Sequence, residues 1–370
     1  MKITEFSCIR VNIPYLKPFT ISGGANMQGE HVIVALETDE GVVGYGESAP
    51  MVTYSGETQS DSYHAIAEYL GKAIAGLNPF DLEKIHYQMD KALPEHNFAK
   101  AAIDLALYDL MGKKLKLPAY QLLGGKFRDR IDIAWVVGMG SLEEMIEEAV
   151  RFTEQGFRTI KLKIGNQPRE DIQMVREVRQ AVGPDVKIRV DANQGYDVST
   201  AVRTIRQLEP FDIEMVEQPV KKWDISGMAE VTRSVDVPIE ADESLFNLQD
   251  AVNIIKHRAA DILNIKVLKP GGLLPSKKIA ALCEAEGITC LVGSMVEFGI
   301  GNAAGLHFAA STPSVKHACE MVGPSLFAYD IVEEDYSYKA FQGGQIAVPN
   351  QPGMGVTLKE EYVQQLQAAK

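Results

Sequence analysis

From Lys161 onward, side chains able to do chemistry recur at nearly even intervals, each where a short apolar run ends. Lys161 and Lys163 close TIKLKI, Asp191 closes VKIRVD, Glu217 closes IEMVE, Asp242 follows VPIEA and Lys266 closes DILNIK. The last four are separated by 26, 25 and 24 residues. That is the length of one strand, one loop and one helix. The spacing therefore predicts repeating βα units whose parallel strands each carry a polar group at the carboxyl end. When such a sheet closes, those ends meet at one mouth.

The alternation begins near Ile131 and supplies eight strand candidates: IDIAWVV, TIKLKI, VKIRVD, IEMVE, VPIEA, DILNIK, ITCLVG and VKHACEM. Between them, SLEEMIEEAVRFTEQG and SKKIAALCEAEG have helical periodicity and end in Gly156 and Gly287, as helix C-termini often do. The fold class expected is α/β, a (β/α)8-type, modified TIM barrel, with an eighth helix only faintly signalled. The first 125 or so residues follow another rule. HVIVALETD and GVVGYGES, joined at Asp39-Glu40-Gly41, follow an opening strand and predict an antiparallel meander. Helical stretches come next, the clearest being AKAAIDLALYDLMGKKL, in which Ala99, Ala102, Ile103, Ala106, Leu107 and Leu110 share a face. The expected division is an N-terminal α+β capping domain (1–125), the barrel with the catalytic site (126–342) and a Gly- and Pro-rich C-terminal segment (343–370) that returns to the cap.

With 370 residues, 46% of them apolar, the chain can bury an ordinary core. The 37 basic and 50 acidic residues give a net charge of −13 without a basic cluster, which argues against a nucleic-acid partner. Cys8, Cys283, Cys290 and Cys319 show no CxxC pairing and read as reduced thiols. The longest uncharged run, from Phe298 to Val315, is broken by glycines, Asn302, His307 and Pro313, so it reads as a buried strand-to-helix segment and not a membrane span. The start lacks a signal-peptide core. The expectation is a cytoplasmic protein with no membrane partner.

Asp191, Glu217 and Asp242 offer three hard oxygen ligands, and of the seven histidines only His317 falls near a strand end beside them. Mg2+, with Mn2+ possible, fits such a set better than zinc. Any one strand-end acid is more simply a loop cap; three on successive strands favour a metal site. Lys161 and Lys163, two apart on one strand, face the same side, the barrel interior. Two ammonium groups beside a metal repel, so one lysine is expected to titrate low, near 7–8 if it is to act as a base, unless both merely neutralise neighbouring acids. Lys266, on the sixth strand, lies across the barrel from Lys163. Two opposed amines make racemisation possible: one removes a proton from a carbon next to a carboxylate while the other delivers one to the far face, provided a cation stabilises the enediolate. GIGNAAG after the seventh strand reads as close packing at a helix start rather than a phosphate loop. Trp135 is expected to form a wall, and Ser294, Glu297 and Glu320 either contact substrate or support the site.

These residues resemble a known family. TIKLKIG, VDANQG, VEQP, ADES, NIKVLKPGG and VGSMVE resemble, in order and spacing, the enolase superfamily and specifically its muconate lactonizing enzyme subgroup; the resemblance extends from the cap to the terminal PGMGV. It implies that Lys161 helps polarise a substrate carboxylate, that Lys163 and Lys266 are the acid/base pair, that Asp191, Glu217 and Asp242 bind Mg2+, and that Asn193 supports them from behind. It also implies that cap loops Pro18 to Ala25 and Pro50 to Glu57 close over the mouth. Relatives that use a histidine base from strand seven are set aside, because this chain has none there. At strand eight, Glu320-Met321-Val322 lacks the second acid of the Asp-x-Asp typical of dipeptide epimerases, and resembles both muconate cycloisomerases and racemases of N-acylated amino acids. PFTISGG, GYGESAP and SGET resemble racemase and epimerase members. A hydrophobic lip of Phe19, Ile21, Met51, Val52 and Tyr54 suits an acylated or peptidyl amino acid. The resemblance thus implies a Mg2+-dependent racemase or epimerase of a small-molecule carboxylate, an N-acylamino acid or dipeptide, assembled as a homo-oligomer. The alternatives are a muconate-type cycloisomerase and, from another class, a metal-binding barrel without turnover.

Overall fold

The computed structural model describes residues 1–21 and 24–370, with side chains described outside 19–25. Three antiparallel strands open the chain, β1 (Ile3–Ile21), β2 (Gly24–Thr38) and β3 (Val43–Ser48), in the order β1-β2-β3. The β2–β3 turn closes at Gly41, whose φ of 72° suits a residue without a Cβ. Helix Asn97–Leu115 lies on this sheet. It can do so because β3 carries Gly44 and Gly46 beneath it; a Cβ on either would overlap the carbonyl oxygen of Ala106 or Ala102. The residues expected to share a face, Ala99, Ala102, Ile103, Ala106, Leu107 and Leu110, do pack together, in a core with Val32, Val34 and Leu36 of β2. The opposite face, including Phe98, Leu105 and Tyr108, is buried too, in the core that serves the barrel. This helix is therefore buried on all sides between two layers.

The barrel follows. β4 (Arg130–Asp132) is split from β5 (Trp135–Val136), and β6 (Thr159–Lys163), β7 (Lys187–Asp191), β8 (Ile213–Glu217), β9 (Ile239–Ala241), β10 (Ile262–Asn264) and β11 (Thr289–Leu291) continue a parallel seven-stranded sheet from β5 to β11. The eighth candidate, VKHACEM, is not a continuous strand. Parallel bridges from Val315 to Cys290 and from Cys319 to Ile133 link the two edges of the curled sheet. A short 3-10 turn, Gly323–Ser325, takes the place of an eighth helix. The tail contributes β12 (Gln345–Ala347), antiparallel to β4, and helix Glu360–Ala368, which rests on β1.

Strand residues of alternating parity face opposite ways. Ile160, Leu162, Ile188, Val190, Val216 and Leu263 face the helices in the large core. The other parity fills the lumen: Met215, Ile262 and Leu291 form a small apolar cluster of their own, and Glu217 and Asn264 stand two positions beyond the first two. All four cysteines are buried and unbridged. Among the described residues, no helix is long and apolar enough to cross a membrane.

Candidate active site

The parallel register sets Lys163 beside Asp191, and Asp191 beside Glu217. Their side chains project from the carboxyl ends of β6, β7 and β8; Asp242 and Lys266 follow β9 and β10. Asp191, Glu217 and Asp242 are each at most 1% exposed. Such burial is costly for charge, and it is offset by amines. Lys161 Nζ pairs with Glu217, with Glu320 Oε2 at 2.6 Å and with Asp191 Oδ2 at 3.2 Å. Lys163 Nζ donates to Asp191 Oδ2 (2.6 Å) and Asn193 Oδ1 (3.1 Å). Lys266 Nζ donates to Asp242 Oδ2 at 2.8 Å, and Tyr54 Oη donates to Asp242 Oδ1 at 2.8 Å.

Lys161, Lys163, Lys266, the three acids, Asn193, Tyr54 and Glu320 are therefore brought together. Asn193 links Lys163 to Glu243, accepting from the Lys163 amine and donating to Glu243 Oε1 at 3.0 Å. Ser294 and Glu297 sit in the loop after β11, where the Ser294 hydroxyl donates to the Glu297 carboxylate. Met51 packs partly buried against the large core. Trp135 corrects the expectation of a substrate wall. Its ring stacks on Phe152 at 3.5 Å, it lies edge-on to Phe157 and Tyr338, and its indole N–H donates to Glu148; its register partner on β6 is Ile160, which faces the helices, and Trp135 faces the same way. His317 bonds Thr289 at the start of β11 and lies 3.5 Å from Glu214 near the start of β8, at the opposite rim from the carboxylates. The side chains of Phe19 and Ile21 lie outside those described.

Three partners were not singled out from sequence. Lys269, wholly buried, donates to both Oδ1 and the backbone carbonyl of Asp242 at 2.7 Å. Its signal was the spacing of three after Lys266 in NIKVLKPGG. Arg189, two before Asp191 and thus on the same face, lies 2.8 Å from Glu214 and 3.2 Å from Glu320. Glu243 follows Asp242 directly. Backbone geometry also marks the mouth: Asn193, Gln194, Gln218 and Val296, in loops after β7, β8 and β11, all have positive φ, and for β-branched Val296 (61°) that conformation is strained.

Burial alone would lower Lys266, but Asp242 and Glu217 raise it further, and the net direction is up. Lys161 follows the same logic with Glu217, Glu320 and Asp191. Carboxylates at hydrogen-bond distance favour the charged form of these two amines. Asp242 is the counterpart: burial raises it, but Lys266 and Lys269 outweigh that and hold it well below the usual carboxylate range. Lys269 itself is lowered, chiefly by burial.

The donor set fits a hard divalent cation. Asp191, Glu217 and Asp242 are acids with no sulfur or imidazole among them. Negative charge is also in surplus: burial and neighbouring acids push Glu240 up to about 8 and Glu243 up to about 7, and Glu243 Oε2 and both Glu240 carboxylate oxygens have no hydrogen-bond partner. Among the described residues, no three acids stand as a ready-made metal cage; the Lys161 ammonium bridges Asp191 and Glu217, and Lys163 and Lys266 each pair with one acid, Asp191 and Asp242.

Residues 3–124 match the family described as "Mandelate racemase / muconate lactonizing enzyme, N-terminal domain", and residues 144–362 match "Enolase C-terminal domain-like". The chain belongs to the enolase superfamily, in its muconate lactonizing enzyme subgroup. Among members of this superfamily it is similar to the N-succinyl-L-Arg/Lys racemase of Bacillus cereus, at 38% identity over 99% of this chain and 98% of the relative. The crystal structure of that racemase superposes with a TM-score of 0.94, covering 99% and 98% of the two chains. The hydrophobic dipeptide epimerase of Enterococcus faecalis is 43% identical over 86% of this chain and 90% of its own. The dipeptide epimerase from that organism, in complex with Mg and the dipeptide L-Leu-L-Tyr, superposes at a TM-score of 0.93, with 39% identity over 96% of this chain and all of that one. Muconate cycloisomerase 1 of Rhodococcus opacus is 32% identical over 98% of both. Like these superfamily relatives, the chain is an isomerase.

Proposed function

We propose that the protein is a Mg2+-dependent racemase or epimerase that removes the α-proton of an N-acylamino acid or dipeptide carboxylate, using Lys163 and Lys266 as its acid/base pair through an enediolate. The observation that carries this reading is the order of the sheet. Lys163 ends β6, Lys266 follows β10, and between them Asp191, Glu217 and Asp242 stand on or just beyond β7, β8 and β9. A substrate carboxylate drawn to that acidic arc through a cation has an amine on either side of its α-carbon.

Mg2+ held by these three acids would supply the charge that stabilises an enediolate and would compete with the lysines for the same oxygens. The chain's own residues do the rest. Lys161, between Glu217 and Glu320, presents an ammonium to the substrate carboxylate. Lys163 and Lys266, each with one acid at hydrogen-bond distance, hold and pass the proton at Nζ. Their side chains are 14% and 10% exposed, so bulk water competes little for that proton. Support for the substrate class comes from the relatives, which include a racemase of N-succinyl Arg/Lys and an epimerase of hydrophobic dipeptides. The cycloisomerase is a second reading, favoured by the muconate relative, because the same two amines could serve it. The division at residues 125 and 342, cytoplasmic residence and homo-oligomeric assembly are retained as parts of this proposal.

The test is α-proton exchange in D2O, read by NMR across a series of N-succinylamino acids and dipeptides. At least one member should exchange and racemise, racemisation should end in both Lys163→Ala and Lys266→Ala, and chelation of Mg2+ should abolish it until metal is returned. A series in which nothing exchanges, together with loss of cis,cis-muconate ultraviolet absorbance, would replace this reading with lactonization.

A further inference from the structure

The two amines differ in what holds them, and the difference reaches into the capping loop. Lys163 is gripped from within the barrel, by Asp191 at 2.6 Å and Asn193 at 3.1 Å. Lys266 is gripped by Asp242 at 2.8 Å and also by a residue far away in the chain: its Nζ lies 3.4 Å from Tyr54 Oη and 4.5 Å from the centre of the Tyr54 ring. The Tyr54 hydroxyl at the same time donates to Asp242 Oδ1, which fixes it between the amine and its carboxylate.

Tyr54 belongs to the single helical turn Val52–Ser55, held in place by the backbone bonds of Tyr54, Ser55 and Gly56 to Met51 and Val52. Its ring packs against Phe246, 5.7 Å away in the loop after β9, so it has a footing on the barrel as well. A base on a long flexible stem transfers a proton efficiently only when aimed to within about 0.5 Å, and the groups that lock its rotamer set that aim. On the Lys163 side those groups are all barrel residues. On the Lys266 side one of them is carried by the cap.

Resting on the two-lysine reading above, we infer that Tyr54 is a positioning residue for Lys266 and not for Lys163, so that the loop Met51–Gly56 controls proton transfer on one face of the substrate only. A substrate side chain that displaces this loop then changes the balance between the two half-reactions, and not simply the affinity.

The experiment is α-proton exchange in D2O with Mg2+ supplied, measured separately for the L and D forms of N-succinyl-lysine, for L-Leu-L-Tyr and L-Leu-D-Tyr, and for the fastest-exchanging pair of the series above. Lys163→Ala and Lys266→Ala assign which form each amine deprotonates. In Tyr54→Phe, which keeps the ring and its packing, exchange through Lys266 should fall about tenfold, the size expected for one hydrogen bond involving a charged group. Exchange through Lys163 should stay near the wild-type rate. The two rates come from one protein, so any loss of folded enzyme cancels in their ratio. Thr53→Ala, an exposed neighbour, should leave both rates unchanged. Equal slowing of both faces, or of neither, in Tyr54→Phe overturns the positioning role and leaves the two-lysine reading standing. No exchange of any compound by the wild-type protein overturns that reading and this inference with it.

Discussion

Asp242 takes three side-chain donors on its two carboxylate oxygens, Lys266 on Oδ2 and both Lys269 and Tyr54 on Oδ1. Removing one partner of a buried ion pair leaves an uncompensated charge and is far more costly than the pair's net worth. Lys269→Met should therefore destabilise the fold by about 3 kcal/mol in urea unfolding. Glu57, in the cap loop near Tyr54, is a buried acid of another kind. Burial pushes its carboxyl up from 4.5 to about 7, beside the backbone N–H groups of Phe98 and Asn97. Between those values the folded protein keeps a proton that the unfolded chain has released. That contribution to stability is complete below about pH 4.5 and is lost as pH rises through about 7. Glu57→Gln cannot ionise. Its stability relative to wild type should rise by roughly 2 kcal/mol between pH 4.5 and pH 8, read from thermal or denaturant unfolding at the two pH values.

Helix Asn97–Leu115 shows what a periodic pattern reveals and what it hides. Its apolar spacing marked one face, which does pack on the capping sheet. That its other face is buried as well could not be read from the period, because Ala101 and Leu105 belong equally to an amphipathic or an all-buried helix. Its buried acids act as rivets: Asp104 accepts from Leu273 N–H at 2.6 Å, and Asp109 accepts from Tyr45 and Met354 N–H at 2.9 Å. Contact with β3 depends on missing side chains. Gly46→Ala would drive a methyl into the helix backbone, and we expect a loss of about 3 kcal/mol, seen as a lower denaturation midpoint with Gly41→Ala as a comparison that meets no neighbouring atom but bears the cost of its left-handed φ. GIGNAAG resolves similarly. The helix Gly299–Ala310 does begin there, and its N-terminal N–H groups are already taken by the protein's own carboxylates, Glu47 on Phe298 and Gly301 and Asp330 on Gly299.

At the scale of the whole molecule, Glu47 joins the two layers. It pairs with His31 at 2.8 Å inside the capping sheet and caps a barrel helix across the gap, while the His31 ring lies on Phe298 at 3.9 Å. Glu47→Ala strands two buried N–H groups and the imidazole, and should cost roughly 3 kcal/mol, with the cap loops becoming protease-sensitive before the barrel. The sequence by itself determined the repeat, the capping meander, and the acids and lysines that end the central strands. It could do so because strand parity and a period near 25 residues are local rules that write themselves along the chain. Only the tertiary structure decided the partners. Tyr54 and Asp242 are 188 positions apart, Glu47 and Gly301 are 254 apart, and no period links them. The eighth strand shrank to bridges and Trp135 turned to the helices for the same reason: where a strand is two residues long, its register and facing are set by what packs against it, not by its own pattern.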